Sequence, residues 1–167
     1  AFSSILDSTI NILEIVRDFN HPSRVIYTSS SMVYGDFESD LVSETSSTKP
    51  KDIYGSFKLC GEIVIEGYRQ RYNLDTAVVR PSAVYGPYDG NQRVLYKFIT
   101  RAINKEPIHI DGDGTMKLDF TFVDDTARGF YLVATHKNAS GQIFNITRGN
   151  AEKLIDVTSI LKKYFPD

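Results

Sequence analysis

The chain has 167 residues, of which 41% are hydrophobic, 12% aromatic and 24% charged, a composition that fits one ordinary globular domain and excludes disordered and collagen-like architectures. Its 19 Lys and Arg against 21 Asp and Glu give a net charge of -2, with no block of either sign, so nucleic acid is not an expected partner. The single cysteine, Cys60, closes no internal disulfide, and no apolar run approaches the roughly 20 residues of a membrane span. A reducing, cytoplasmic setting with no membrane partner is expected.

Apolar residues Ile5, Leu6, Leu13 and Val16, with Ile10, Ile12, Ile15 and Phe19 on a further flank, predict a helix over 3–19 that buries more than one side. His21, Pro22 and Ser23 break it. Residues 24–30 then read as a short buried strand running into small polar residues. Residues 36–53, rich in Ser, Thr, Asp and Lys, read as a loop, 54–72 as a helix, and 76–80 as a strand stopped by Pro81. A loop over 87–91 and a helix over 93–104 follow. Short strands at 108–110 and 118–123 flank the turn-rich 111–114. Asp124 and Asp125 offer side-chain oxygens to cap a helix that runs to about Ala134, 142–147 reads as a strand, and 154–164 as a closing helix. Strands alternating with helices predict an α/β fold whose mostly parallel sheet is covered on both faces.

Ligands of open parallel sheets sit at the carboxyl ends of the strands, where this chain places Ser29, Ser30 and Ser31 and then Pro81, Ser82 and Ala83. Tyr54 and Lys58, four positions apart, share one helix face, so a phenol and an ammonium become neighbours. A free tyrosine titrates near pH 10, and service as a base near pH 7 therefore costs about 4 kcal/mol. A cation held close can supply much of that. The pair by itself also suits a solvated helix face; its context sets it apart, because Ser30 ends a strand 24 positions earlier and is followed by Met32-Val33-Tyr34-Gly35. Asp111-Gly112-Asp113-Gly114-Thr115 lacks both the acidic order and the closing Glu of a calcium loop and reads as a turn. His21, His109 and His136 are isolated and Cys60 reads as a core residue, so no metal is expected.

Five segments jointly carry a family resemblance: Thr28-Ser29-Ser30-Ser31-Met32-Val33-Tyr34-Gly35, Tyr54-x-x-x-Lys58, Arg80-Pro81-Ser82-Ala83-Val84-Tyr85-Gly86-Pro87, Gly112-Asp113-Gly114, and Leu118-Asp119-Phe120-Thr121-Phe122-Val123-Asp124-Asp125. In order and spacing the chain resembles the extended short-chain dehydrogenase/reductase superfamily, in its NAD-dependent nucleotide-sugar epimerase/dehydratase branch. The resemblance implies part of a doubly wound Rossmann-like parallel sheet with a small substrate-binding lobe. Residues 1–85 would be the C-terminal half of the NAD(P)-binding domain with its catalytic residues, and 86–167 substrate-lobe segments interleaved with the last Rossmann strand and helix.

The same resemblance implies a Ser-Tyr-Lys mechanism. Tyr54 exchanges a proton with a sugar hydroxyl while hydride moves to or from the nicotinamide, Ser30 hydrogen-bonds the reacting oxygen, and Lys58 holds the nicotinamide ribose. Read from the residues alone, Ser29 or Ser31 could end the strand equally well. Ser29, Tyr54, Lys58, Pro81 and Ser82 fall on the cofactor side, and Ser30, Ser31, Met32, Ala83 and Arg93 on the substrate side. Arg93 also suits a solvated helix start. The cofactor is NAD, with NADP open. Dehydratases of the family carry acidic residues directly after the catalytic Ser or Thr, whereas Ser31 and Met32 stand here and cannot act as carboxylates. Reversible oxidation and reduction at one carbon of a nucleotide sugar, C4 in a 4-epimerase, is the expected activity. The alternatives are an NAD(P)-dependent reductase or dehydrogenase of a non-nucleotide substrate, which Ala83 and Leu118 in place of the family's usual Asn and Arg would permit, and a non-catalytic dimerising module. No Gly-x-Gly-x-x-Gly or Gly-x-x-Gly-x-x-Gly turn occurs, so the resemblance places the start of the chain at the family's fourth helix and the adenine half of the cofactor site outside it. A homodimer through helices 3–19 and 54–72, which form a four-helix bundle in related enzymes, is expected.

Overall fold

A computed structural model describes residues 3–19, 23–36 and 41–166. The break expected at His21 and Pro22 lies outside these, as do 37–40 of the predicted loop. In chain order the elements are α1 (Ser3–Phe19), β1 (Val25–Thr28), α2 (Ile53–Tyr72), β2 (Thr76–Pro81), β3 (Ala83–Tyr85), α3 (Val94–Ile103), β4 (Lys117–Leu118), β5 (Phe120–Phe122), α4 (Val123–Thr135), β6 (Ile143–Ile146), β7 (Glu152–Lys153) and α5 (Leu154–Tyr164). They divide into two compact units, Ala1–Pro81 with Arg128–Ile146 and Ser82–Ala127 with Thr147–Asp167.

The first unit is built on a parallel sheet of three strands in the order β1-β2-β6. Val25 lies opposite Thr76 and Thr28 opposite Val79, while Val78 pairs with Ile143 and Pro81 with Ile146. The central strand β2 is buried from Thr76 to Arg80, which is why Ala77, Val78 and Val79 run apolar without alternation. Against one face α1 and α2 contribute Leu13 and Ile65 to a cluster with Tyr27 and Val78. On the other, Phe130 and Val133 of α4 pack with Ala77 and Val79. Helix α2 starts where the Asp52 carboxylate accepts the Gly55 N–H at 2.6 Å and stops at Asn73 in the left-handed conformation, φ 54°. Arg24 fixes the entry to β1. Its Nε pairs with the Asp75 carboxylate at 2.9 Å and its Nη1 donates to the Val133 and His136 carbonyls at 2.6 and 2.8 Å.

The second unit pairs β3 with β5 in parallel and β4 with β7 antiparallel. Its core joins Phe98 of α3, Phe120 of β5, and Leu154 and Val157 of α5. Several expectations change here. Residues 108–110 form no strand; Ile108 and Ile110 pack on this core without a ladder. The stretch 118–123 is interrupted at Asp119, whose carboxylate accepts the N–H groups of Arg148 and Gly149 at 3.1 and 2.8 Å and so leaves two short strands. Asp124 and Asp125 lie within the first turn of α4 rather than before it, where their charge complements the helix dipole without capping. Cys60 is exposed, not part of the core, because the buried side of α2 is drawn through Gly55, Gly61, Glu62 and Ile65.

Tyr27 is buried, and among the described residues no group hydrogen-bonds its hydroxyl. Gly61 permits this, since any Cβ there would overlap the Tyr27 phenol. Burial, reinforced by the negative charge of Glu62, pushes the phenol up to about 12. The folded state therefore keeps a proton that the unfolded chain releases near pH 10, so stability present below pH 10 is lost as pH rises through about 12. Removing an unsatisfied buried hydroxyl spares a desolvation cost of about 1–3 kcal/mol. Tyr27→Phe should thus leave stability at pH 7 unchanged or raise it by about 1 kcal/mol, and flatten its decline above pH 10. Urea titrations at pH 7 and pH 11 measure both effects.

Candidate active site

The carboxyl end of β1 delivers two buried serines. The Ser29 N–H donates to the Val79 carbonyl at 2.7 Å, and its hydroxyl donates to Glu62 Oε1. Ser30, with extended backbone, caps a single tight helical turn, Ser31–Tyr34, by accepting the Met32 N–H on Oγ at 3.2 Å. The turn closes on Gly35 at φ 70°, where a side chain would strike the Lys49 carbonyl. The first turn of α2 lies directly against it: a Cβ on Gly55 would stand 2.6 Å from the Met32 carbonyl oxygen. Gly55 thereby brings Tyr54, one residue earlier, to the turn that Ser30 caps.

Tyr54 keeps 39% of its surface exposed, enough for the phenol to meet a ligand. One helical turn on, Lys58 Nζ donates to the Thr28 carbonyl at 2.9 Å and stands 5.6 Å from the Tyr54 ring centroid and 5.4 Å from that of Tyr27. Burial holds the ammonium below its ordinary value. Ser31 is half-buried, and Met32 is exposed. Pro81 ends β2 in register with Ile146. Ser29, Ser30, Ser31, Met32, Tyr54 and Lys58 thus gather at one end of the first unit's sheet.

Ser82, Ala83 and Arg93 belong to the second unit. Ser82 is half-buried with its carbonyl accepting the Val84 N–H at 2.8 Å, and Ala83 packs on that unit's apolar core. Arg93 precedes α3 as an exposed residue, with Nη1 3.4 Å from the Val84 carbonyl. It lines a hollow of about 200 Å³ with Tyr85, Pro87, Tyr88 and Asn91. Tyr88 and Gln92 in this loop hold left-handed backbone, at φ 65° and 49°.

Two residues central to the site had no role in the sequence analysis, although Arg80 opens one of its five segments. Arg80 of β2 and Glu62 of α2 form a buried bidentate ion pair, with Nε to Oε1 at 2.9 Å and Nη2 to Oε2 at 2.6 Å. Burial alone would lower the Arg80 guanidinium, but its hydrogen bonds to Glu62 and Tyr34 hold it above its ordinary value. The signal was present. An arginine in an otherwise apolar central strand requires a partner, and Glu62 follows Tyr54 and Lys58 at the same four-residue spacing. Among the described residues no cluster of His, Cys, Asp and Glu could hold a metal.

The residues present fit one half of a dinucleotide. The Lys58 ammonium has three donors and directs one at Thr28, so further N–H groups remain for a ribose diol. The sequence has no glycine-rich turn that could cradle a pyrophosphate.

A parallel sheet under helices, with Ser, Tyr and Lys converging at its carboxyl end, defines a Rossmann-like dehydrogenase/reductase fold. The chain belongs to the NAD dependent epimerase/dehydratase family, whose profile matches residues 2–147. It is 33% identical over 162 residues to a UDP-glucuronate 4-epimerase of Thermodesulfobacterium geofontis, covering 95% of this chain and 48% of that protein. It is 30% identical to a dTDP-glucose 4,6-dehydratase of Neisseria meningitidis, covering 95% of this chain and 48% of the relative. Among solved structures it is similar to the UDP-glucuronic acid 4-epimerase of Bacillus cereus in complex with UDP-glucuronic acid and NAD, with 30% identity, a TM-score of 0.88, and coverage of 98% of this chain and 52% of that one. The chain spans about half the length of the curated relatives it matches.

Because Gly55 sets the approach of α2 to the Ser30 turn, Gly55→Ala in the full-length protein should destabilise it by about 1–3 kcal/mol through overpacking and lower turnover. Thermal melting and initial rates measure the two effects.

Proposed function

We propose that the protein is an NAD-dependent nucleotide-sugar 4-epimerase in which Tyr54 is the acid/base. The observation that carries this reading is the Tyr54–Lys58 face of α2 laid against the Ser30 turn, with Lys58 anchored on the Thr28 carbonyl. NAD, with NADP as the alternative, would supply reversible hydride transfer at the sugar carbon when bound, with Lys58 holding its nicotinamide ribose. The protein's own groups handle the proton and the orientation. Tyr54 Oη takes the proton of the sugar hydroxyl and later gives it back, and Lys58 stands beside it, Nζ 5.6 Å from the ring centroid. The Ser30 hydroxyl holds the reacting oxygen, and this reading assigns Lys58, Ser29 and Pro81 of the first unit to the nicotinamide and Ser31 and Met32 to the sugar. From the second unit it assigns Ser82 to the cofactor and Ala83 and Arg93 to the substrate. On this reading residues 1–85 are the C-terminal half of a cofactor domain, and 86–167 carry substrate-lobe segments together with its last strand and helix. The enzyme works in the cytoplasm, in keeping with its single unpaired cysteine.

Tyr54→Phe in the full-length protein should lower turnover of a UDP-hexose by at least about 10²-fold with little change in KM. NMR of the wild-type reaction should show a C4 epimer with no release of water, since Ser31 and Met32 offer no carboxylate for elimination. Near-normal turnover in Tyr54→Phe would refute the role of Tyr54, and accumulation of a 4-keto-6-deoxy sugar would refute epimerisation.

The protein is further proposed to be a homodimer through α1 and α2. Ile12 and Ile15 of α1 and Ile63 of α2 are more than half exposed, at 52%, 56% and 66%, and they extend the apolar surface beyond the stripe that Leu13 and Ile65 bury. Light scattering should give twice the chain mass, and Ile12→Lys or Ile63→Lys should shift it toward monomer.

A further inference from the structure

We propose that Glu62 and Arg80 are positioning residues, a buried clamp that sets the rotation of α2 and thereby where Tyr54 and Lys58 stand relative to Ser30. The proposal rests on the reading of Tyr54 and Lys58 as the reacting pair. Glu62 is 6% exposed and Arg80 3%, so neither charge is relieved by solvent. Burying two charges is rarely the most stable solution; an apolar pair of similar volume is often as stable or more so. What apolar contacts lack is direction. The bidentate fork admits one approach of carboxylate to guanidinium, and Tyr54, Lys58 and Glu62 recur every four residues along α2. Fixing Glu62 on Arg80 therefore fixes the face that carries the other two.

The clamp also reaches the other half of the site. The Ser29 hydroxyl donates to the same Glu62 oxygen that receives Arg80 Nε, and Ser29 is bonded through its peptide to Ser30. On the far side Arg80 Nη1 donates to Tyr34 Oη at 2.8 Å and to the Glu44 carbonyl at 3.1 Å. Tyr34 Oη donates in turn to Asn145 Oδ1 at 2.8 Å. Tyr34 ends the helical turn that Ser30 caps. Both ends of that turn, the helix bearing the phenol and the strands beneath are thus referred to one guanidinium.

The test uses the full-length protein with Glu62→Met and Arg80→Met combined, which removes both charges and leaves neither unpaired. The double variant should melt well above the assay temperature, keep KM for the UDP-sugar within about twofold, and lose between about 10-fold and 10²-fold in kcat, the scale of a small misplacement of reacting groups. Ser29→Ala, which leaves the ion pair intact, is the second arm and the deciding one if the double variant does not fold. It should lower the melting temperature while leaving the protein folded at the assay temperature, and lower kcat several-fold at unchanged KM for the UDP-sugar and for NAD. Wild-type kcat in either folded variant, or a loss carried by KM alone, overturns the proposal. Tyr54→Phe run alongside separates the two questions: its retention of turnover defeats the reading of the site, whereas an inactive Tyr54→Phe beside a fully active clamp variant defeats the clamp alone.

Discussion

The first unit is organised around a charge that its central strand cannot leave alone. Arg80 lies in β2 between two packed faces, and an unpaired guanidinium there would be prohibitive. Every neighbour answers to it: Glu62 from α2, Tyr34 from the turn after β1, Glu44 from the connecting loop, and, through Tyr34, Asn145 from β6. Asn145 is itself tied to the loop, donating its backbone N–H to the Glu44 carboxylate and its side-chain amide to the Val42 carbonyl. A helix on an apolar sheet can rotate or slide at small cost because apolar contacts are not directional. One buried fork removes that freedom.

Glycine supplies the complementary constraint, since direction without close approach would leave the site open. At Gly55 the helix backbone meets the Met32 carbonyl, and at Gly61 it meets the Tyr27 ring. These two positions lie on the same helix as Tyr54, Lys58 and Glu62, so α2 alternates residues that reach with residues that yield. The helix therefore sits low on the ends of β1 and β2, and a lysine only one turn from its start can bond the Thr28 carbonyl.

Where one physical signal dominated, the sequence was legible. Apolar periodicity placed α1 over 3–19, the helix read at 54–72 begins one residue earlier at Ile53, and the β-branched run of 76–80 before Pro81 marked a strand. The strand-end serines and the Tyr54–Lys58 spacing located residues that the structure brings together. What failed depended on partners distant in sequence. Ile108 and Ile110 look like a strand but have no ladder partner. β4 and β7 exist because Lys117 and Leu118 meet Lys153 and Glu152, a pairing that no local pattern announces. Cys60 followed the residue-type habit of burial into the wrong side of α2, because the helix turns toward the sheet along Gly55, Gly61, Glu62 and Ile65, a side that Cys60 does not share.

The same preference for geometry over comfort explains the two least satisfied polar groups near the site. The Lys58 ammonium is held below its ordinary value by burial, and the Tyr27 hydroxyl is sealed without a partner. They are neighbours, for Nζ stands over the Tyr27 ring. An aromatic face attracts a partly desolvated cation, which offsets some of the cost of burying the lysine, and only a ring packed tightly against Gly61 can offer its face there. Tyrosine in place of phenylalanine adds the unpartnered hydroxyl without improving that contact. A better-solvated lysine would stabilise the fold, but it would have its donors occupied by water and its charge screened from the adjacent Tyr54. The stability forgone at Lys58 is therefore the cost of holding a partly desolvated ammonium beside Tyr54.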